Sequence, residues 1–255
     1  MNRIIKYVIL DILKNRIVLA YTVLLSLFSW SAFSLEDNSA KGVLTLLNLM
    51  LLSVPLISVL FSTIYIYNSS EFLELLVSQP IKRTRIWTSL FFGLSSSLVL
   101  AFLIGMGIPI ALFAPTKVGL MMIGTGTLIT IVFVAIAFLS SILSRDKARG
   151  IGISILLWLF FALLFDGLVL FLLFQFSDYP IEKAMIGITF FSPIDLSRIL
   201  IMLHLDESAM MGYTGAIFKE FFGTFYGLLF SFFMLILWAV IPFIFSRKLF
   251  NSKDL

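Results

Sequence analysis

Six stretches of this chain are each long and apolar enough to cross a lipid bilayer, and that constrains everything else about it. The hydrocarbon core of a membrane is about 30 Å thick, so a helix crossing it needs about 20 apolar residues. The runs extend from Ile17 to Leu35, Leu44 to Tyr67, Trp87 to Phe113, Val118 to Leu143, Ile151 to Phe176 and Phe222 to Phe245. They are continuous and rich in Leu and Phe, whereas a transmembrane β-strand would alternate over about ten residues. The expected fold is an all-α membrane protein with six transmembrane helices in one domain, residues 1–255.

The rest of the composition agrees. Apolar residues make up 60% of the chain and charged ones 13%, against about 25% charged in soluble domains. A soluble fold would have too little polar surface to cover so much hydrocarbon; lipid is the solvent that resolves this. Cysteine is absent, which excludes a disulfide framework, a thiol redox pair and a thiolate metal site. A net charge of +4 without a basic patch gives no basis for nucleic-acid binding. No small-residue cleavage site follows the first run, which therefore reads as a retained span.

Orientation follows from Lys and Arg. With the N-terminus inside, most of the 18 fall on the cytoplasmic side, and only Lys41, Lys117, Lys183, Arg198 and Lys219 fall outside. The positive-inside rule then places both termini in the cytoplasm of a multi-pass protein of the inner membrane. Most connections are short, which favours antiparallel neighbours in one bundle. Two are longer: a cytoplasmic loop from Asn68 to Ile86 and an outer loop from Ser177 to Phe221.

The cytoplasmic loop carries the most information. Asn68 followed by Glu71 has the form of a capping box, and Glu71 and Glu74 share one helical face by their spacing. With Phe72, Leu73, Leu75, Leu76 and Val77 apolar, the segment reads as a short amphipathic helix at the inner surface. Gln79-Pro80 ends it, because the residue before proline disfavours the α region. Lys82, Arg83 and Arg85 then meet the headgroups. On pattern alone this is either a connector or a docking element for a cytoplasmic motor, with acids for ion pairs and apolar residues for anchorage.

The run Leu75-Leu76-Val77-Ser78-Gln79-Pro80-Ile81-Lys82-Arg83, after an acidic helix and before a third span, resembles the membrane subunits of type-2 ABC exporters. Further stretches are similar to the permease of the Nos-type transporter, which serves copper-centre maturation of nitrous-oxide reductase. These are Tyr67-Asn68-Ser69-Ser70-Glu71-Phe72, Arg145-Asp146-Lys147-Ala148-Arg149-Gly150, Leu156-Leu157-Trp158-Leu159-Phe160-Phe161 with Phe165-Asp166, and Ser192-Pro193-Ile194-Asp195-Leu196. Ser192 stands where that family usually has Asn. The resemblance implies a coupling helix with Glu71, Phe72, Glu74, Leu75, Leu76, Pro80 and Arg83 facing a separate ATPase that binds ATP and Mg. It further implies a homodimer and a periplasmic copper-assembly subunit. The alternative within the same class is a generic exporter of a lipid, polysaccharide or drug. A secondary transporter or a scaffold is a third reading, but such transporters commonly carry internal repeats and paired intramembrane charges, neither of which the sequence displays.

Few residues invite chemistry. The chain has one histidine and no P-loop, zinc-protease helix or nucleophile elbow, so no catalytic residue is expected, and no cofactor or metal in this chain. Asp166 is the one charge deep in a span, at an insertion cost of about 2.5–3.5 kcal/mol. It either hydrogen-bonds a neighbouring helix or serves as a conduit or latch. Asn48 is a second intramembrane polar residue. Pro193 to Leu205 reads as an amphipathic, partly re-entrant helix, with Pro193, Asp195, Met202 and His204 as candidate contacts for a periplasmic partner. Met202, His204, Met210 and Met211 offer soft groups suited to Cu(I), though methionine also fills gaps in apolar packing.

Overall fold

A computed structural model describes residues 2–35, 39–176, 182–203 and 222–252. Among them the secondary structure is helical throughout. Helices α1 (Asn2–Leu13), α2 (Arg16–Leu35), α3 (Ser39–Asn68), α4 (Ser70–Val77) and α5 (Arg83–Phe113) are followed by α6 (Lys117–Leu143) and α7 (Lys147–Gln175). Then come α8 (Glu182–Thr189), α9 (Pro193–Met202) and α10 (Phe225–Ser252). Six of these, α2, α3, α5, α6, α7 and α10, are long and apolar enough to span a membrane, as the six apolar runs require. The last span begins and ends later than the apolar run alone, because α10 continues through the basic Arg247-Lys248 turn to Ser252.

The core is built around α6, the most enclosed span, which packs against α3, α5, α7, α9 and α10. Its Phe133 and Phe138 are fully buried. Phe138 meets Trp87 edge-on at 4.8 Å, and Trp87 stacks on Phe250 at 4.3 Å. Hydroxyls join helices where apolar packing alone gives little specificity within lipid. Ser154 of α7 hydrogen-bonds both Thr63 of α3 at 2.8 Å and Ser140 of α6 at 2.6 Å, and Trp87 donates to Ser246 at 3.1 Å.

Two spans contain a π-helical turn. In α5 it covers Leu103–Gly107, and its cause is visible in the sequence. Pro109 has no N–H to give the carbonyl of Gly105 four residues earlier. The Ser29 hydroxyl of α2 approaches that carbonyl at 3.4 Å while also donating to Leu25 at 2.9 Å. Gly105 permits the close crossing: a Cβ there would lie 2.7 Å from the Cβ of Leu25. The second π turn, Phe160–Leu164 in α7, has no proline to explain it and ends two residues before Asp166. One inserted residue rotates all that follows by roughly 100° relative to an unbroken α-helix.

Helix α1 is absent from an account based on span length. At 12 residues it is too short to cross. Ile4, Val8 and Ile12 line one face, and Val8 and Ile12 are fully buried against α5. Tyr65 of α3 donates to Asp11 at 3.0 Å, and the ring of Tyr7 packs tilted against Phe72 of α4 at 5.3 Å. The N-terminal segment is therefore a collar joined to α3, α4 and α5, not a simple charged flank.

Candidate functional site

The first candidate lies at the end of the bundle that bears α4. Leu73 and Leu76 of α4 are buried and Phe72 is half-buried against Tyr7, while Glu71, Glu74, Leu75 and Ser78 form an exposed stripe. The pattern expected for the acids holds. Leu75 differs: it is 65% exposed and lies on the acidic face, not the anchoring face. Helical spacing explains this, since Leu75 follows Glu71 by four residues and so shares its side of the helix. Pro80 is exposed in the turn that follows α4, and Arg83 opens α5, half-buried.

The expected capping box does not form. Asn68 is the last residue of α3, Ser69 takes the N-cap position of α4, and no side chain caps that helix. The Asn68 carboxamide oxygen instead accepts a hydrogen bond from Lys147 Nζ at 2.7 Å. This joins two stretches 79 residues apart. Beside it the Tyr67 hydroxyl lies 3.1 Å and 3.0 Å from the carbonyls of Ser141 and Ser144, satisfying acceptors that the C-terminus of α6 leaves open. The hydroxyl end of the Tyr67 ring lies against Gly150, where a Cβ would overlap it. Asp146 completes the joint by capping α7, its carboxylate accepting from the Arg149 N–H at 2.9 Å.

Between α4 and this joint lies a cleft of about 380 Å³. Its floor is apolar, with Ile66, Leu73, Trp87, Ile142 and Phe250, and Glu74 and Arg145 supply opposite charges to its lining.

The second candidate lies at the opposite end. Among the described residues, Asp166 pairs with Arg198 of α9, at 2.6 Å. Arg198 also meets Asp195 at 3.3 Å. The cation assigned by sequence to an outer loop thus neutralises the intramembrane acid, because α9 folds back between α3, α6, α7 and α10. Ser192 caps α9, its hydroxyl accepting from the Asp195 N–H at 3.2 Å. Serine is among the favoured N-cap residues. Burial pushes the Asp195 carboxyl up from the ordinary carboxylate range to about 7, with the neighbouring Asp166 adding to the rise and Arg198 opposing it.

Other expected contacts fall differently. Pro193 and Asp195 are buried inside the bundle and Met202 packs half-buried against its core, so they face neighbouring helices. His204, Met210 and Met211 lie outside the described residues. Asn48 is exposed on α3, turned away from the core. No group of three or more His, Asp and Glu residues suited to a metal occurs among the described residues.

No family model matches the chain. It is similar to a protein described as probable ABC transporter permease protein NosY, of Pseudomonas aeruginosa, at 28% identity over 223 residues covering 79% of this chain and 81% of that one. With six helices able to span a membrane, that likeness makes the chain a multi-pass membrane protein of the inner (cytoplasmic) membrane.

Proposed function

We propose that this chain is the non-catalytic permease subunit of an ABC transporter, driven by a separate ATPase chain that binds ATP and Mg. The observation that carries the reading is α4, a short helix between the second and third spans that exposes Glu71, Glu74 and Leu75 together. Likeness to a probable ABC transporter permease supports it. In this reading α4 and both termini face the cytoplasm. The two acids pair with basic groups of the ATPase, Leu75 enters an apolar depression, and the Tyr67–Gly150 joint carries the motion into α3, α6 and α7. Two copies of the permease work together, with Asn48 available on the lipid-facing side of α3 for contact between them.

The finer reading is that ATP-driven motion serves maturation of the copper centre of nitrous-oxide reductase through a periplasmic copper-assembly subunit. Its support is the printed name of the relative and the sequence stretches that resemble Nos-type permeases. With no thiolate in the chain, copper is held by that partner and not here.

Two experiments test these levels separately. Glu71→Lys/Glu74→Lys should fold normally but lose co-purification with the partner ATPase; unchanged binding and ATPase stimulation would make α4 a connector. Deleting this chain alone should leave nitrous-oxide reductase exported but short of copper. A fully loaded reductase would remove the copper assignment and leave the exporter reading standing.

A further inference from the structure

The cluster of Asp166, Asp195 and Arg198 is not used by the coupling described above, and its composition is unusual for a membrane interior. Two carboxylates meet one guanidinium, at 2.6 Å and 3.3 Å. The Asp195 side chain is 10% exposed and that of Asp166 is 37% exposed. One carboxylate oxygen of Asp195, Oδ2, is fully buried and accepts no hydrogen bond among the described residues. If both acids were ionised, the cluster would carry a net negative charge centred on the largely buried Asp195. An unpaired charge in such surroundings is strongly disfavoured, whereas a shared proton leaves the cluster neutral and gives the second carboxyl a donor.

Facing Asp195, its own helix supplies Arg198 and, at the N-cap, Ser192, and α7 supplies Asp166. The other charged residues on packed helices are Lys41 of α3, Lys117 of α6, Lys147 and Arg149 of α7, Glu182 and Lys183 of α8, and Arg247 and Lys248 of α10. Those of α3, α6, α7 and α10 are exposed, and none of them forms an ion pair with the cluster. Tyr226 of α10 is likewise exposed. The burial-driven rise in the Asp195 carboxyl agrees with a proton held there near neutral pH. The π turn Phe160–Leu164, on which α9 packs, ends two residues before Asp166; such turns break the regular hydrogen-bond ladder.

We propose that Asp166, Asp195 and Arg198 form a proton-binding latch in which one proton shared by the two carboxyls, clamped by Arg198, holds the re-entrant helix α9 against the fifth span. The proton leaves by way of Asp166, the more water-accessible member. Its loss strands a negative charge and loosens α9 at the π turn. The pH on the face opposite α4 then sets how firmly α9 is docked, whatever drives the rest of the protein.

The test uses the full-length protein in lipid nanodiscs. Infrared difference spectra should contain the carbonyl stretch of a buried protonated carboxylic acid that disappears between about pH 5 and about pH 8. That band should be lost in Asp195→Asn and shifted in Asp166→Asn. Because the chain contains no cysteine, spin labels at Ile199→Cys and Leu168→Cys report α9 against α7 without background. Their separation should lengthen or broaden at the higher pH in the wild-type background and stay short at both in Asp195→Asn, whose amide replaces the protonated acid. Absence of a titrating band, or the same distance distribution at both pH values, would overturn the latch. The wild-type titration decides the first point even if a variant fails to fold.

Discussion

The two ends of this bundle use acidic side chains in opposite ways. On α4, Glu71 and Glu74 are exposed and, among the described residues, meet no basic side chain at ion-pairing distance, which leaves them open to a partner. At the other end Asp195 is buried, and Asp166 is bound to Arg198 within the chain itself. The chemistry of the carboxyl group is the same. Its surroundings decide whether it is a surface for recognition or a structural charge with a large penalty for change.

Substitutions should separate the two ends by size of effect. The largest is expected for Arg198→Leu, which leaves two acids without their cation. Fully buried, such a loss costs about 3–5 kcal/mol; with both partners partly exposed, roughly 1–3 kcal/mol is expected. Thermal unfolding in detergent would measure it, and a melting temperature equal to that of wild type would show that the cluster contributes nothing to stability. Next comes Gly150→Leu, which must displace the Tyr67 ring and should cost about 1–3 kcal/mol by overpacking. In the proposed transporter it should also uncouple ATPase stimulation. Tyr67→Phe keeps the ring but deletes the bond to the end of α6, for about 1 kcal/mol.

A pH profile sharpens the contrast. The carboxyl of Asp195 binds its proton more tightly folded than unfolded. Its contribution is therefore complete below the ordinary carboxylate range and declines as pH rises toward about 7. Stability in detergent should fall over that interval, and Asp195→Asn should flatten the fall; an unchanged slope would assign the dependence to another group. Smallest of all should be the effect of Glu71→Lys/Glu74→Lys on stability, within about 0.5 kcal/mol as for other exposed positions. A large loss of stability there would mean that α4 is held by its acids and not by Leu73 and Leu76.

The spans were legible because the bilayer sets one length scale, and a run such as Val118 to Leu143 meets it whatever its neighbours are. Helix α4 was legible because its acids recur at helical spacing before Gln79-Pro80. Its anchoring face was read less well: apolar character alone places Leu75 with Leu73 and Leu76, and only rotation about the helix axis separates them. Helix α1 escaped a search for spans, yet its signal was present in Ile4, Val8 and Ile12, repeated every four residues between Arg3 and Lys14. The failed capping box has a different cause. Asn68 satisfied the local pattern, but α3 continued through it and Lys147 took its side chain.

What the sequence by itself determined was solvent and secondary structure: lipid around six helices, proline and glycine at the α5 break, and an acidic helix between two spans. These follow from local properties, namely the length of an apolar run, a missing N–H and the angle between successive side chains. Only the tertiary structure decided that Arg198 returns into the bundle to meet Asp166 and Asp195, and that Tyr67 rests on Gly150. Those contacts join residues 32 and 83 positions apart in the chain. Neither is specified by local spacing, because each depends on how two helices that fold independently come to lie against one another.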